Sequence, residues 1–157
     1  MDRTEPTSRP AASPRDDTYV LLPTPPGVDE YVRLRQDSGL SPKTTEQAGY
    51  AVANSWAFCH VRHRDSGAAV AMGRLLGDGG WYFHVADMAT LPDHQRRGLG
   101  RWVLEWLLEQ VDNRAPANPY VTLLADEPGR ALYRGLGFVD TAPESIGMRY
   151  AGRPVQP

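Results

Sequence analysis

The sequence lacks the features of several specialised protein classes. It has one cysteine, Cys59, in 157 residues, so no internal disulfide can form and no cysteine cluster can hold zinc, and no metal site is expected. Cys59 reads as a small hydrophobe in a strand. No apolar run approaches the ~20 residues that a membrane-spanning helix needs. The chain opens without a hydrophobic segment of signal-peptide type, which sets the expectation of a cytoplasmic protein with no membrane partner. Positive charge is not in surplus either: 17 Lys and Arg against 19 Asp and Glu leave a formal net charge of -2. That balance argues against a phosphate-neutralising surface, so nucleic acid is not an expected partner. No internal repeat at solenoid spacing is found.

What is present suits one compact domain. A hydrophobic content of 41% over 157 residues can build a core without disulfides or metals. Residues 1–17 are rich in Pro, Ser, Thr and charge and read as a disordered tail, residues 18–150 as the folded domain, and residues 151–157 as a second flexible tail. Within the domain, a strand at Tyr19 to Leu22 precedes a helix from Val28 to about Ser38. A second helix is expected to start with Ser41 as cap and Pro42 at its first position, and to run to about Asn54. Strands follow at Trp56 to Arg64, Ala68 to Leu76 and Trp81 to Leu91, the last stopped by Pro92. A helix from Gly98 to about Asp112 places Trp102, Val103, Trp106 and Leu107 on one face. Tyr120 to Ala125 reads as a buried strand and Pro128 to Gly135 as a short helix. Phe138 to Asp140 and Ile146 to Tyr150 read as closing strands. The order is β-α-α-β-β-β-α-β-α-β-β.

The segment Gln95-Arg96-Arg97-Gly98-Leu99-Gly100 sits between a predicted strand and a predicted amphipathic helix. Gly98 and Gly100 carry no side chain, so backbone N–H groups can approach a ligand closely. The helix N-terminus adds a partial positive charge, and Arg96, Arg97 and Arg101 add formal charge, which together suit a diphosphate. The spacing fits neither a P-loop nor the three-glycine dinucleotide fingerprint.

These residues resemble the Gln/Arg-x-x-Gly-x-Gly/Ala signature of the GNAT acetyltransferases. A second block, Ala131-Leu132-Tyr133-Arg134-Gly135-Leu136-Gly137-Phe138, is similar to the GNAT segment in which a Leu-Tyr pair precedes a Gly-Phe. The resemblance covers about Tyr19 to Tyr150. It implies an α+β fold whose central, mostly antiparallel sheet is flanked by helices, with the fourth and fifth strands splayed to admit acetyl-coenzyme A. It also implies an acetyl-CoA-dependent N-acetyltransferase in which the six-residue turn binds the pyrophosphate of the cofactor. Backbone N–H groups near Met88, Ala89 and Thr90 would hold the acetyl and pantetheine carbonyls. Many relatives carry Asn where Asp126 falls; an Asp keeps the acceptor oxygens and lacks the amide donor.

The resemblance places Tyr133 as the general acid, since a phenol with a pKa of ~10 is protonated at neutral pH and can donate to a departing thiolate. For the general base, His84 is the first candidate, falling where histone-modifying relatives carry Glu. Asp87 is the second, because a carboxylate in an apolar strand is costly unless paired, hydrogen-bonded or functional. His60, His63 and His94 read as surface residues. Tyr31, Arg33, Arg35, Arg74 and Trp81 are the polar and aromatic residues available to the acceptor, and Asp78 could attract a cationic amine. The favoured acceptor is a small-molecule amine. A protein Lys or N-terminal amine, a non-catalytic acyl-CoA-binding module, and a homodimer stay open.

Overall fold

The computed structural model describes residues 17–152. The tails expected from the sequence fall at residues 1–16 and 153–157, outside the described residues, except Asp17, Ala151 and Gly152. The chain divides into two compact units, one up to Leu123 and one from Leu124 on.

The first unit is a five-stranded sheet with helices on both faces. Its elements in order are β1 (Tyr19–Leu22), α1 (Val28–Asp37), α2 (Thr45–Asn54), β2 (Ala57–His63), β3 (Ala69–Gly77), β4 (Tyr82–Thr90), α3 (Leu99–Arg114) and β5 (Tyr120–Leu123). The strands lie in sequence order; all neighbours are antiparallel except β4 and β5, which are parallel. The α3 helix forms the crossover between that parallel pair, as such a connection requires. The mixed sheet flanked by helices is the architecture expected from the sequence.

Each face has its own core. Tyr31 and Leu34 of α1 and Ala48 of α2 pack with Phe58, Ala69, Met72 and Ala89 of the sheet. On the other face, Leu99, Val103, Leu104, Leu107 and Val111 are the buried residues of α3. Cys59, fully buried, points its sulfur at the Val103 carbonyl, and burial pushes its thiol pKa far up, so it acts as the apolar strand residue its sequence context suggests. Trp102 and Trp106, expected on the buried face of α3, are only half-buried, because Leu104 and Val111 complete that face instead.

The α2 start differs from the sequence expectation. The cap is Thr44, whose Oγ1 accepts from Gln47 N at 3.1 Å while Gln47 Oε1 accepts from Thr44 N at 3.1 Å, a reciprocal box. Ser41 is drawn away by Arg35, which donates to its carbonyl and hydroxyl.

The second unit contains a 3-10 turn at Glu127–Gly129 and α4 at Arg130–Gly135. The closing strands expected at Phe138 to Asp140 and Ile146 to Tyr150 are not strands here. Residues 141–145 close a turn through Ser145 N on Thr141 O, and Ile146, Met148 and Tyr150 are exposed. Alternating polarity marks a side-chain face, but a strand also needs a ladder partner.

β4 carries a bulge. Met72 pairs with Ala89 and Arg74 with Ala86, so Gly73 alone stands opposite both Asp87 and Met88, and Asp87 adopts φ +55°. Gly73 is needed for this: a Cβ there would lie 2.6 Å from both Met88 Sδ and Val103 Cγ1. Gly73→Ala should therefore destabilise the fold by about 1–3 kcal/mol, read as a lower denaturation midpoint. An unchanged midpoint would show that Met88 and Val103 can give way.

Candidate active site

The sheet parts where β4 bulges. The parallel ladder ends at Val85 against Leu123, and β4 continues to Thr90 with no β5 beside it. Along the stretch from Ala86 to Thr90, which includes Met88, Ala89 and Thr90, the amide groups that face away from β3 thus have no ladder partner on β5. A short turn at Pro92–His94 then leads into Gln95 to Gly98 and α3.

The turn has the geometry of an anion cradle. Arg96 and Gly98 both take left-handed backbone, at φ +58° and +81°. The Gly98 cap offers no side chain to the first N–H groups of α3, and a Cβ on Gly98 would meet nothing within 4 Å, so the space before it is open. Gln95 to Gly98 are exposed. Gln95 Nε2 donates to Thr90 O at 3.1 Å, tying the turn to the end of β4. Leu99 is buried and can offer only its backbone, Gly100 lies within α3, and Arg101 is paired with Glu105 at 2.8 Å. Arg96 and Arg97 carry the exposed charge of the turn. These residues fit a diphosphate: donors, charge and room converge.

The α1/α2 face of the sheet holds a polar cluster. Phe58 belongs to the core on that face, and its partner Arg74, then Ala86 and the Leu76–His84 pair, share it by register. Asp87 is the hub. One oxygen accepts from Arg35 Nη1, and the other accepts from Tyr31 Oη at 2.5 Å and Arg74 Nε at 2.6 Å. The Arg35, Arg74 and Asp87 side chains are only 9%, 15% and 8% exposed. Burial and the Asp87 carboxylate push the Tyr31 phenol pKa up, keeping it a donor. Three acceptor-site candidates, Tyr31, Arg35 and Arg74, therefore meet at one of the two base candidates.

His84 is half-buried, and its Nδ1 lies 3.0 Å from Thr122 Oγ1. Thr122 gives its one hydroxyl hydrogen to Phe83 O at 3.3 Å, so it accepts from His84. That network assigns the hydrogen to Nδ1 and leaves the Nε2 lone pair free to take a proton. Desolvation and the nearby Arg74 charge hold the His84 pKa below its usual value, so the ring is neutral at pH 7.

Other candidates fall elsewhere. Trp81 is 58% exposed and stacks with Tyr82 and Tyr120. Asp78 Oδ1 accepts from the N–H groups of Gly80, Trp81 and Tyr82, and those bonds, that from Trp81 foremost, lower its pKa. Arg33 donates to Ala69 O. His60, expected at the surface, is 2% exposed, because its strand pairs with β1 at Leu22 and the segment after β1 lies against it, with Nδ1 on Thr24 O. His63 and His94 are half-buried and stack with Tyr19. Sequence reading missed the site roles of Ser41, Ser55 and Thr122, whose polar partners lie as far as 39 residues away in sequence. Among the described residues, no His, Cys, Asp and Glu group is arranged to hold a metal ion, and no helix is long and apolar enough to cross a membrane.

In the second unit, Tyr133 of α4 packs edge-on against Phe138 with centroids 6.1 Å apart. Gly129 makes room for the ring, since a Cβ there would lie 2.7 Å from Tyr133 Cε2. Burial, and then the Asp126 charge, raise the Tyr133 pKa, so the phenol stays protonated.

Comparison with known proteins agrees with this architecture. A stretch of 72 residues, 45% of the chain, is 36% identical to the ribosomal protein bS18-alanine N-acetyltransferase of Escherichia coli K12, of which it covers 47%. A chloroplastic GCN5-related N-acetyltransferase of Arabidopsis thaliana is 29% identical over 108 residues, 69% of the chain and 53% of that protein. The chain thus spans about half the length of these curated relatives. A Staphylococcus aureus structure described as a probable acetyltransferase matches with a TM-score of 0.79 and 32% identity, over 84% of this chain and 98% of its own. The crystal structure of the Escherichia coli bS18-alanine enzyme, at 19% identity and a TM-score of 0.66 over 79% of each chain, shares the fold. The acetyltransferase (GNAT) domain model matches residues 55–140. With more than half of its length under that model, the chain belongs to the GNAT acetyltransferase family.

Proposed function

We propose that this chain transfers the acetyl group of acetyl-CoA to the amine of a small molecule by direct attack. The observation that carries this reading is the parting of β4 from β5 after Val85, next to a glycine turn with open space before Gly98. When bound, acetyl-CoA supplies the acyl group already activated as a thioester. The N–H groups at the start of α3, with Arg96 and Arg97, bind and orient the diphosphate. The free edge of β4 at Met88, Ala89 and Thr90 offers donors for carbonyl oxygens. His84 takes a proton from the attacking amine at Nε2, directly or through water. Asp87 is the weaker base candidate, since both oxygens already accept hydrogen bonds from cations. Tyr133, protonated, takes the role of proton donor to the leaving thiolate that the family resemblance gives it.

A second reading is a protein acceptor. It is favoured by the 36% identity to enzymes named for acetylating an alanine of ribosomal protein bS18. Thiol release measured with DTNB, over free amines and an alanine-ended peptide, separates the two. Binding of acetyl-CoA without thiol release on any acceptor of either kind would leave a binding module.

Acetyl-CoA should raise the melting temperature, as a ligand selective for the native state does. Gly98→Val should abolish the shift by closing the turn and by straining a φ of +81°; an undiminished shift in the folded variant would move the phosphate site elsewhere. Tyr133→Phe should lower kcat by ~10²–10⁴-fold with acetyl-CoA binding retained, and equal turnover would remove Tyr133 from the reaction. For His84 the neutral ring is the base. With its pKa lowered, kcat/KM should climb with pH and level off with a midpoint below ~6.5. His84→Ala should erase that limb. A limb that survives and follows the pKa of the amine would assign deprotonation to solvent.

A further inference from the structure

The Asp87 cluster holds one positive charge too many. Two guanidinium groups share one carboxylate, and the side chains are at most 15% exposed. Neither acid on the first turn of α1 supplies the missing charge: Asp29 is exposed, and both oxygens of Glu30 are held by Arg62 at 2.8 and 2.9 Å. Taking a net charge out of water is costly unless a counter-ion completes the group.

The surplus can be placed on one residue. Every nitrogen of Arg35 donates: Nε and Nη2 to Ser41 and Nη1 to Asp87. Arg74 is different. Its Nε is taken by Asp87, its Nη1 reaches Ser55 Oγ only at 3.3 Å, and Nη2 makes no hydrogen bond among the described residues. The buried side-chain atoms without a partner among the described residues are His60 Nε2 and Glu105 Oε2, so Arg74 Nη2 reaches solvent. Arg74 is therefore a half-satisfied guanidinium with an open edge. It lies on the same face as His84, one diagonal step across the β3–β4 ladder.

We propose that the acceptor amine carries an anionic group, a carboxylate or a phosphate, that docks on the open Nη edge of Arg74 while the amine faces His84. This rests on the acetyl-transfer reading and names the substrate class of that site. A guanidinium binds either anion with charge-assisted hydrogen bonds. The same charge repels a purely cationic acceptor such as a polyamine, while an amine with an anionic tail approaches with no net repulsion. The cofactor's phosphates do not compete, because the glycine turn belongs to α3, which packs on the opposite face.

The test uses matched acceptors that differ in the anion: amino acids against their amides, and O-phosphoethanolamine against ethanolamine, with spermidine as the cationic case. Thiol release should give the anionic member of at least one pair a kcat/KM ~10–100-fold higher, the range of one charged hydrogen bond. The pair with the larger ratio identifies carboxylate or phosphate. Arg74→Gln should erase the preference. Because Arg74 also holds Asp87, Leu76→Asp is the companion variant: Leu76 is 39% exposed, pairs with His84, and takes no part in the Asp87 cluster. It should raise KM for the anionic member at least ~10-fold over that for the neutral member by repulsion, while any effect of the new carboxylate on His84 falls on both members alike and cancels in that ratio. Equal kcat/KM within both pairs, a preference for spermidine, or an equal loss for both members in Leu76→Asp would overturn the proposal. Melting shifts of the CoA-saturated protein with the same compounds decide the anion site separately. Shifts with anionic members but no thiol release would sink acetyl transfer and keep the Arg74 site; thiol release without such a preference would do the reverse.

Discussion

The Asp87 carboxylate is the constraint on which the site depends. It ties α1, through Tyr31 and Arg35, and β3, through the Arg74 side chain, to the bulge of β4. Arg35 carries the tie on to Ser41 between the helices, and Arg74 carries it to Ser55 at the end of α2. Losing the carboxylate would leave two guanidinium groups together with little solvent, and breaking a buried pair of this kind costs about 3–5 kcal/mol. The bulge has a second support on the other face, where Met88 and Val103 occupy the space that Gly73 leaves. Salt bridge above and glycine below fix where β4 leaves β5.

The sequence made the fold legible because most of its signals are local. Strand alternation, the helix from Leu99, and the Pro92 stop each depend on neighbours within one element, and the structure differs from them by a residue or two at most ends. Non-local choices were less readable. Ser41-Pro42 is as good a helix start as Thr44, and only Arg35, six residues upstream, decides between them by claiming Ser41. Residues 138–150 have strand-like composition, yet composition does not supply the partner strand.

The site divides the same way. Gln95 to Gly100 could be read because a glycine turn leading into a helix is a contiguous backbone device, and Gly98 takes the left-handed backbone that glycine adopts without steric cost. The Asp87 cluster could not. Tyr31 and Asp87 are 56 residues apart, Arg35 and Asp87 52, and nothing in either segment announces the other. A carboxylate in an apolar strand signalled that some partner must exist. It did not reveal that there were two cations, and so gave no sign of the surplus charge.

That surplus links recognition and proton transfer. After desolvation, the Arg74 charge is the second cause that lowers the His84 pKa, so the charge that repels a cationic acceptor also disfavours protonation of the histidine. An acceptor whose anion neutralised Arg74 would weaken that depression and make His84 a stronger base while the acceptor is bound. Thr122 holds the ring, and Thr122 belongs to β5, one pair from where the ladder ends. The last paired stretch of β4 and β5 thus fixes the orientation of His84, and the unpaired stretch beyond it opens the edge of β4. One register sets both the position of the proposed base and the start of the cleft, so a shift in that ladder would disturb the proposed proton transfer and acyl positioning together.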